Sequence, residues 1–165
     1  MGGIVHPTLN DLSKKTRSQV IDALSIELAG AIDFQLQTKQ AHWNVKGPQF
    51  IALHKLFDEI SEEAEEYVDL IAERIVQLGG VAEGTRRVVA DRSKLPDYPM
   101  TISAGEDHVA ALSQSIAAFG ARIRKAIDRL GKLGDADAAD ICTEISRGLD
   151  KWLWFVEAHA HTGHS

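Results

Sequence analysis

Apolar residues recur at a three-to-four spacing along four long stretches of the chain, the period that lays one stripe down the side of a helix. The first stretch runs from about Arg17 to Val45 and carries Val20, Leu24, Leu28 and Ala31 on one face; Asn44 and then Gly47-Pro48 stop it. The second begins just after Pro48 and runs to Leu78. Its stripe is Leu53, Phe57, Ile60, Ala64, Tyr67, Ile71, Ile75 and Leu78, and Gly79-Gly80 ends it. The third covers about Ala104 to Leu130, with Val109, Leu112, Ile116, Phe119, Ile123, Ile127 and Leu130 inward. The fourth covers about Ala136 to His159, with Ile141, Ile145, Leu149, Trp152 and Val156 inward. Strand patterns are scarce. Four helices with one apolar stripe each bury those stripes by packing antiparallel, as a bundle.

The connections predict the topology. Tight turns join the first helix to the second, and the third to the fourth through Gly131 and Gly134. Between the second and third lie roughly twenty-five residues, long for a structureless loop and able to cross the bundle. Within them, Thr85-Arg-Arg-Val-Val-Ala-Asp predicts a short helix with Thr85 as its N-cap. Tight turn, long crossover, tight turn is the ferritin-like arrangement. The expectation is therefore an all-α, ferritin-like four-helix bundle. One domain spans residues 1–165, with a leader at 1–16 and a flexible tail at 160–165.

Composition narrows the setting. A chain of 165 residues, 44% apolar and 25% charged, suits one ordinary globular core. No apolar run approaches a membrane span, and the N-terminus lacks the charged and apolar regions of a signal peptide. A cytoplasmic location is expected. The single cysteine, Cys142, has no internal partner and reads as a small buried residue. A net charge of −6 opposes nonspecific binding to nucleic acid and suits a protein that gathers cations.

The second helix carries the candidate chemistry. His54 and Asp58 are four residues apart, as are Asp69 and Glu73, so each pair shares a face. At about 100° per residue, that arc lies roughly 140° from the centre of the core stripe. These groups therefore do not face their own bundle. No Glu-x-x-His, the inward motif of internal di-iron bundles, occurs anywhere in the chain. A carboxylate–imidazole site for ferrous iron would have to lie between subunits. The midpoints of 54 and 73 and of 58 and 69 coincide, between Glu63 and Ala64. Two copies of the helix packed antiparallel about a two-fold axis there would set His54 opposite Glu73 and Asp58 opposite Asp69, giving two equivalent sites. His42, near the end of the first helix, could reach the same region. On spacing alone the competing reading is a solvated charged face.

Two segments carry a resemblance. Ala41-His-Trp-Asn-Val-Lys-Gly-Pro-Gln-Phe-Ile-Ala-Leu-His-Lys-Leu-Phe-Asp, followed by Asp69-Leu-Ile-Ala-Glu-Arg-Ile-Val-Gln-Leu-Gly-Gly, resembles the ferroxidase motif of the Dps (DNA protection during starvation) family. The stretch from Ser146 to His159 is similar to that family's last helix, and the likeness covers about Ser18 to His159. The resemblance implies a hollow homo-dodecamer built from two-fold dimers. It implies that His42, His54 and Asp58 of one subunit, with Asp69 and Glu73 of its partner, take ferrous iron. That iron is oxidised, by hydrogen peroxide in preference to oxygen, and stored as ferric mineral, which guards against oxidative stress. Trp43 matches a tryptophan beside the site, where a redox role and helix-end packing both remain open.

Other features qualify that picture. Many relatives bind DNA through a long Lys-rich tail. Here Lys14, Lys15 and Arg17 are the leader's only cations, and the C-terminal His159, His161 and His164 come with no Lys or Arg. Strong DNA binding at neutral pH is not expected. A DNA-compacting shell with secondary iron chemistry, associated with the nucleoid, is the alternative function. Asp135, Asp137, Asp140 and Glu144 gather at the start of the fourth helix. Acids there suit helix capping, and in the family a negatively charged three-fold pore lies near this element, which makes Asp135 and Asp140 candidate pore residues.

Overall fold

The computed structural model describes residues 5–160. Five helices follow in order: α1 (Lys14–Asn44), α2 (Phe50–Gln77), α3 (Arg86–Arg92), α4 (Gly105–Leu133) and α5 (Ala136–Glu157). No strand occurs among the described residues; the one β-bridge joins Lys46 to Ala104. The all-α bundle and its crossover are as the pattern predicts. α1 packs on α2 and α4, α4 on α5, α2 on α5, and α3 lies against α1.

The stripes make one continuous core. Every stripe residue named for α1 and α2 is buried, and so are all but Ile127 on α4 and Ile141 on α5. Those two are half-buried, and Ala126, Ala138 and Cys142 take the inner positions beside them. Burial pushes the Cys142 thiol up to about 12, so it is an inert packing group, not a nucleophile. In mid-bundle Phe34 meets Phe119 with ring centroids 5.6 Å apart.

Helix ends follow local chemistry. Ser13 caps α1 by accepting from the Thr16 N–H at 3.1 Å. After Asn44 the chain turns extended and passes through Gly47 at φ 111°, a left-handed backbone that favours glycine. α4 does not stop at Gly131. It runs on to Leu133, and Gly134 (φ 89°) takes the left-handed C-terminal position, its N–H bonded to Gly131 O at 3.1 Å. A lone glycine inside a helix costs only about 1 kcal/mol, so the break comes where the left-handed cap is formed. Thr85 does occupy the N-cap of α3, but with no side-chain bond.

Two sets of ties hold the frame around the far end of α1. Lys46 N–H donates to Ser103 O at 2.8 Å and Gly105 N–H to Lys46 O at 3.1 Å, pinning the α1–α2 turn to the end of the crossover. Gln37 donates to Pro96 O at 3.0 Å and accepts from the Ser115 hydroxyl at 2.6 Å, tying the crossover and α4 to α1. At the opposite end the leader is strapped down. His6 N–H donates to Gly79 O at 2.7 Å, and the buried Arg17 guanidinium donates to Leu78 O at 2.8 Å. Arg17 is thus a structural cap on α2, not an exposed cation. His161 and His164 lie outside the described residues.

Candidate metal centre

His42 sits in the last turn of α1, and His54 in the second turn of α2, across a short connection. Packing of the two helices brings the rings into a stack with centroids 3.8 Å apart at 19°. Each ring is held by the other's backbone: His42 Nδ1 lies 2.7 Å from His54 O, and His54 Nδ1 lies 2.9 Å from His42 O. A carbonyl oxygen only accepts, so in each neutral ring Nδ1 carries the proton. Each Nε2 is then left with its lone pair, the form in which imidazole ligates a metal. Metal-binding histidines use the same kind of bond, from the ring nitrogen that does not ligate, to fix tautomer and orientation.

Asp58, one helical turn beyond His54, lies beside them, with Oδ1 3.9 Å from His42 Nδ1. Its main partner is the Lys39 ammonium, which donates to the same oxygen. That hydrogen bond, aided by the ammonium's charge, holds the Asp58 carboxyl below the usual carboxylate range. Lys39 was not singled out by the sequence reading, although it stands three residues before His42 on the same face of α1.

Asp69 and Glu73 are exposed on α2. They do not join the other three within one chain. Eleven residues of helix separate Asp58 from Asp69, roughly 16 Å, and nineteen separate His54 from Glu73, roughly 28 Å. Among the described residues, no group of three or more His, Cys, Asp or Glu side chains in one chain is arranged to hold a metal ion. One chain presents two half-sets on an outward face.

The same face is apolar around those half-sets. Phe50, Ile51 and Val76 are exposed on α2, and a shallow concavity of about 370 Å³ beside Glu73 is lined by Ala72, Val76, Gln77 and Ala82. The midpoint of Ile51 and Val76 falls between Glu63 and Ala64, as it does for the two polar pairs. Trp43, next to His42, is 67% exposed, so its ring is not packed into the end of its own bundle.

Asp135 corrects one expectation. Its carboxylate is 1% exposed, accepts from the Ala138 N–H at 2.9 Å and pairs with Arg74 at 2.6 Å. An enclosed carboxylate used as a helix cap and ion-pair partner cannot line a pore. Asp140 and Glu144 remain exposed one turn apart on α5.

Comparison with known proteins agrees with this architecture. A ferritin-like domain model matches residues 21–164. The DNA protection during starvation protein of Agrobacterium fabrum is 49% identical over 154 residues, covering 93% of this chain and 95% of that one. Among solved structures, Dps from Mycobacterium smegmatis is 35% identical with a TM-score of 0.88, covering 93% of each chain. DpsC from Streptomyces coelicolor is 28% identical with a TM-score of 0.93, covering 100% of this chain and 96% of that one. A bundle of this topology, with His42 at the end of α1, His54 and the carboxylates on the outward face of α2, and relatives over more than nine-tenths of its length, belongs to the Dps family of ferritin-like proteins.

Proposed function

We propose that this protein is a ferroxidase and iron-storage protein that works at sites shared between subunits. His42, His54 and Asp58 of one subunit and Asp69 and Glu73 of its two-fold partner bind ferrous iron as substrate. The observation that carries this reading is the reciprocal anchoring of the two histidines. Neither imidazole needs its Nδ1–H···O=C bond for helix formation, yet both are locked with Nε2 free. The coincident midpoints of three pairs on α2 support a two-fold arrangement: His54 with Glu73, Asp58 with Asp69, and the exposed Ile51 with Val76. In that arrangement the apolar pairs exclude water beside the ligands, which strengthens every charge interaction there. Trp43 gains cover in the same interface.

Within one chain the Lys39 ammonium supplies the positive charge that Asp58 faces. Ferrous iron takes over that role, and the ammonium must withdraw. Imidazole and carboxylate donors then hold iron in both oxidation states, with carboxylates favouring the ferric product. Hydrogen peroxide is the proposed oxidant. Consuming peroxide and ferrous iron together removes both reactants of hydroxyl-radical chemistry, so DNA is protected without contact. Twelve subunits form the shell that stores the mineral, in the cytoplasm, and Asp140 lies on the entry route for iron.

The test is complementation. Asp58→Ala and Glu73→Ala should each abolish rapid ferrous oxidation by peroxide while remaining helical. Refolding the two variants together should recover activity, because some interfaces then carry one intact set. Wild-type rates in the Asp58→Ala/Glu73→Ala double variant would sink the proposal. The alternative, a DNA-compacting shell, has less support: with Arg17 buried, the leader offers only Lys14 and Lys15.

A further inference from the structure

Away from that face, between α1 and the second half of α4, lies an open cavity of about 150 Å³. Ala23 and Glu27 line it from α1; Arg122, Lys125, Ala126 and Arg129 line it from α4. The spacing 122, 125, 126, 129 sets those four on one face of the helix.

The floor of this cavity is polar and incompletely bonded. The Glu27 side chain is 10% exposed, and its Oε1 accepts from Arg122 Nη2 at 3.0 Å. Its Oε2 and the Nε of Arg122 are both enclosed and have no hydrogen-bond partner. Each unmade bond there leaves its desolvation uncompensated, as it also does at Arg74 Nε and Asp135 Oδ2, but only the Glu27–Arg122 pair floors a cavity ringed by further cations. Lys125 and Arg129 are exposed at the rim and make no ion pair among the described residues. Three cations therefore surround one carboxylate. Burial outweighs Arg122 and Arg129 and pushes Glu27 above its usual range, toward the neutral form that can donate from Oε2.

We propose that this groove binds a small oxyanion, with inorganic phosphate as the simplest example, held by Arg122, Lys125 and Arg129 over Glu27. The chemistry selects that class. A metal cation would meet three positive charges and one carboxylate already engaged. An apolar ligand would leave the Arg122 N–H and Glu27 Oε2 unbonded. An oxyanion accepts from the exposed Lys125 and Arg129 heads and, once a shift of the Arg122 side chain uncovers the enclosed groups beneath, from the Arg122 Nε–H and the Glu27 carboxyl, and such charge-assisted bonds are the strong ones. At about 150 Å³ the open cavity has room for a tetrahedral anion. This inference does not depend on the iron chemistry of the α2 face.

The experiment is isothermal titration of inorganic phosphate into the iron-free, full-length assembled protein, with chloride at matched ionic strength as the reference. One saturable site per subunit is expected. Lys125→Gln/Arg129→Gln changes only rim residues, so the fold survives, and phosphate affinity should fall by about tenfold or more. Glu27→Gln keeps an acceptor for Arg122 and a donor toward the cavity, and should bind phosphate as well as the parent or better. Absence of saturable phosphate heat would mean that the cavity holds water alone and would overturn the proposal. So would parent-like affinity in the rim variant, or loss of binding in Glu27→Gln. Binding of a DNA duplex that the rim variant abolishes, with no binding of free phosphate, would also reject it in favour of a nucleic-acid contact.

Discussion

Removing the Asp135 carboxylate tests whether the start of α5 is a structural joint or part of an iron pathway. Asp135 and Arg74 are both nearly enclosed, at 1% and 8% side-chain exposure, and meet at 2.6 Å. Asp135→Ala leaves the Arg74 guanidinium buried beside Gln77 at 3.4 Å and the largely exposed Asp137 at 3.7 Å. Breaking a buried pair from one side costs about 3–5 kcal/mol. The lost cap on the Ala138 N–H adds about 0.5–2 kcal/mol when counted separately, though the two losses share one carboxylate and do not simply add. Asp137 can swing in and soften the first loss, so about 3 kcal/mol is expected overall. For a chain of this size that lowers Tm by roughly 6–12 °C. Asp135→Asn keeps the cap and a neutral acceptor for Arg74, and should lose about half as much. Thermal unfolding followed by far-UV circular dichroism gives the ranking, and initial ferrous oxidation rates per folded shell give the functional side. Melting of Asp135→Ala within about 2 °C of the parent would refute the joint. A slowed oxidation rate in Asp135→Asn with unchanged melting would restore the residue to the pore.

Gly148→Ala should destabilise by about 1–2 kcal/mol despite alanine's better helix propensity. The new Cβ would stand 1.9 Å from the Tyr67 hydroxyl and 2.7 Å from Glu63 Oε1, two groups bonded to each other at 2.6 Å. Adding Tyr67→Phe should recover part of the lost Tm, and a Gly148→Ala melt equal to the parent would show that this contact gives way freely. DNA binding should be weak at pH 8 and fall steeply with salt, because attraction to phosphate needs clustered cations. Gel shifts at pH 8 and two salt levels measure this, and tight, salt-resistant binding would overturn the expectation for the termini.

The period of apolar residues alone determined the four long helices, because a stripe must be buried whatever it meets. It also set His54, Asp58, Asp69 and Glu73 on an arc away from the core, since angular position on a helix depends only on local spacing. The sum of charges, the single cysteine and the lengths of the connections were equally local facts. Contacts between helices were not. The carbonyls of His42 and His54 reach each other's rings only after α1 and α2 pack, so the locked tautomers have no signature in the chain. Lys39 and Asp58 are nineteen residues apart, and Arg74 and Asp135 sixty-one, with no motif to link them. For that reason Asp135 read as an acid near a pore until tertiary structure enclosed it. Gly131 and Gly134 looked alike as helix stops, and only the backbone conformation, left-handed at Gly134, chose between them. Spacing along one helix is written in the sequence; which buried group answers which is decided when the helices close around them.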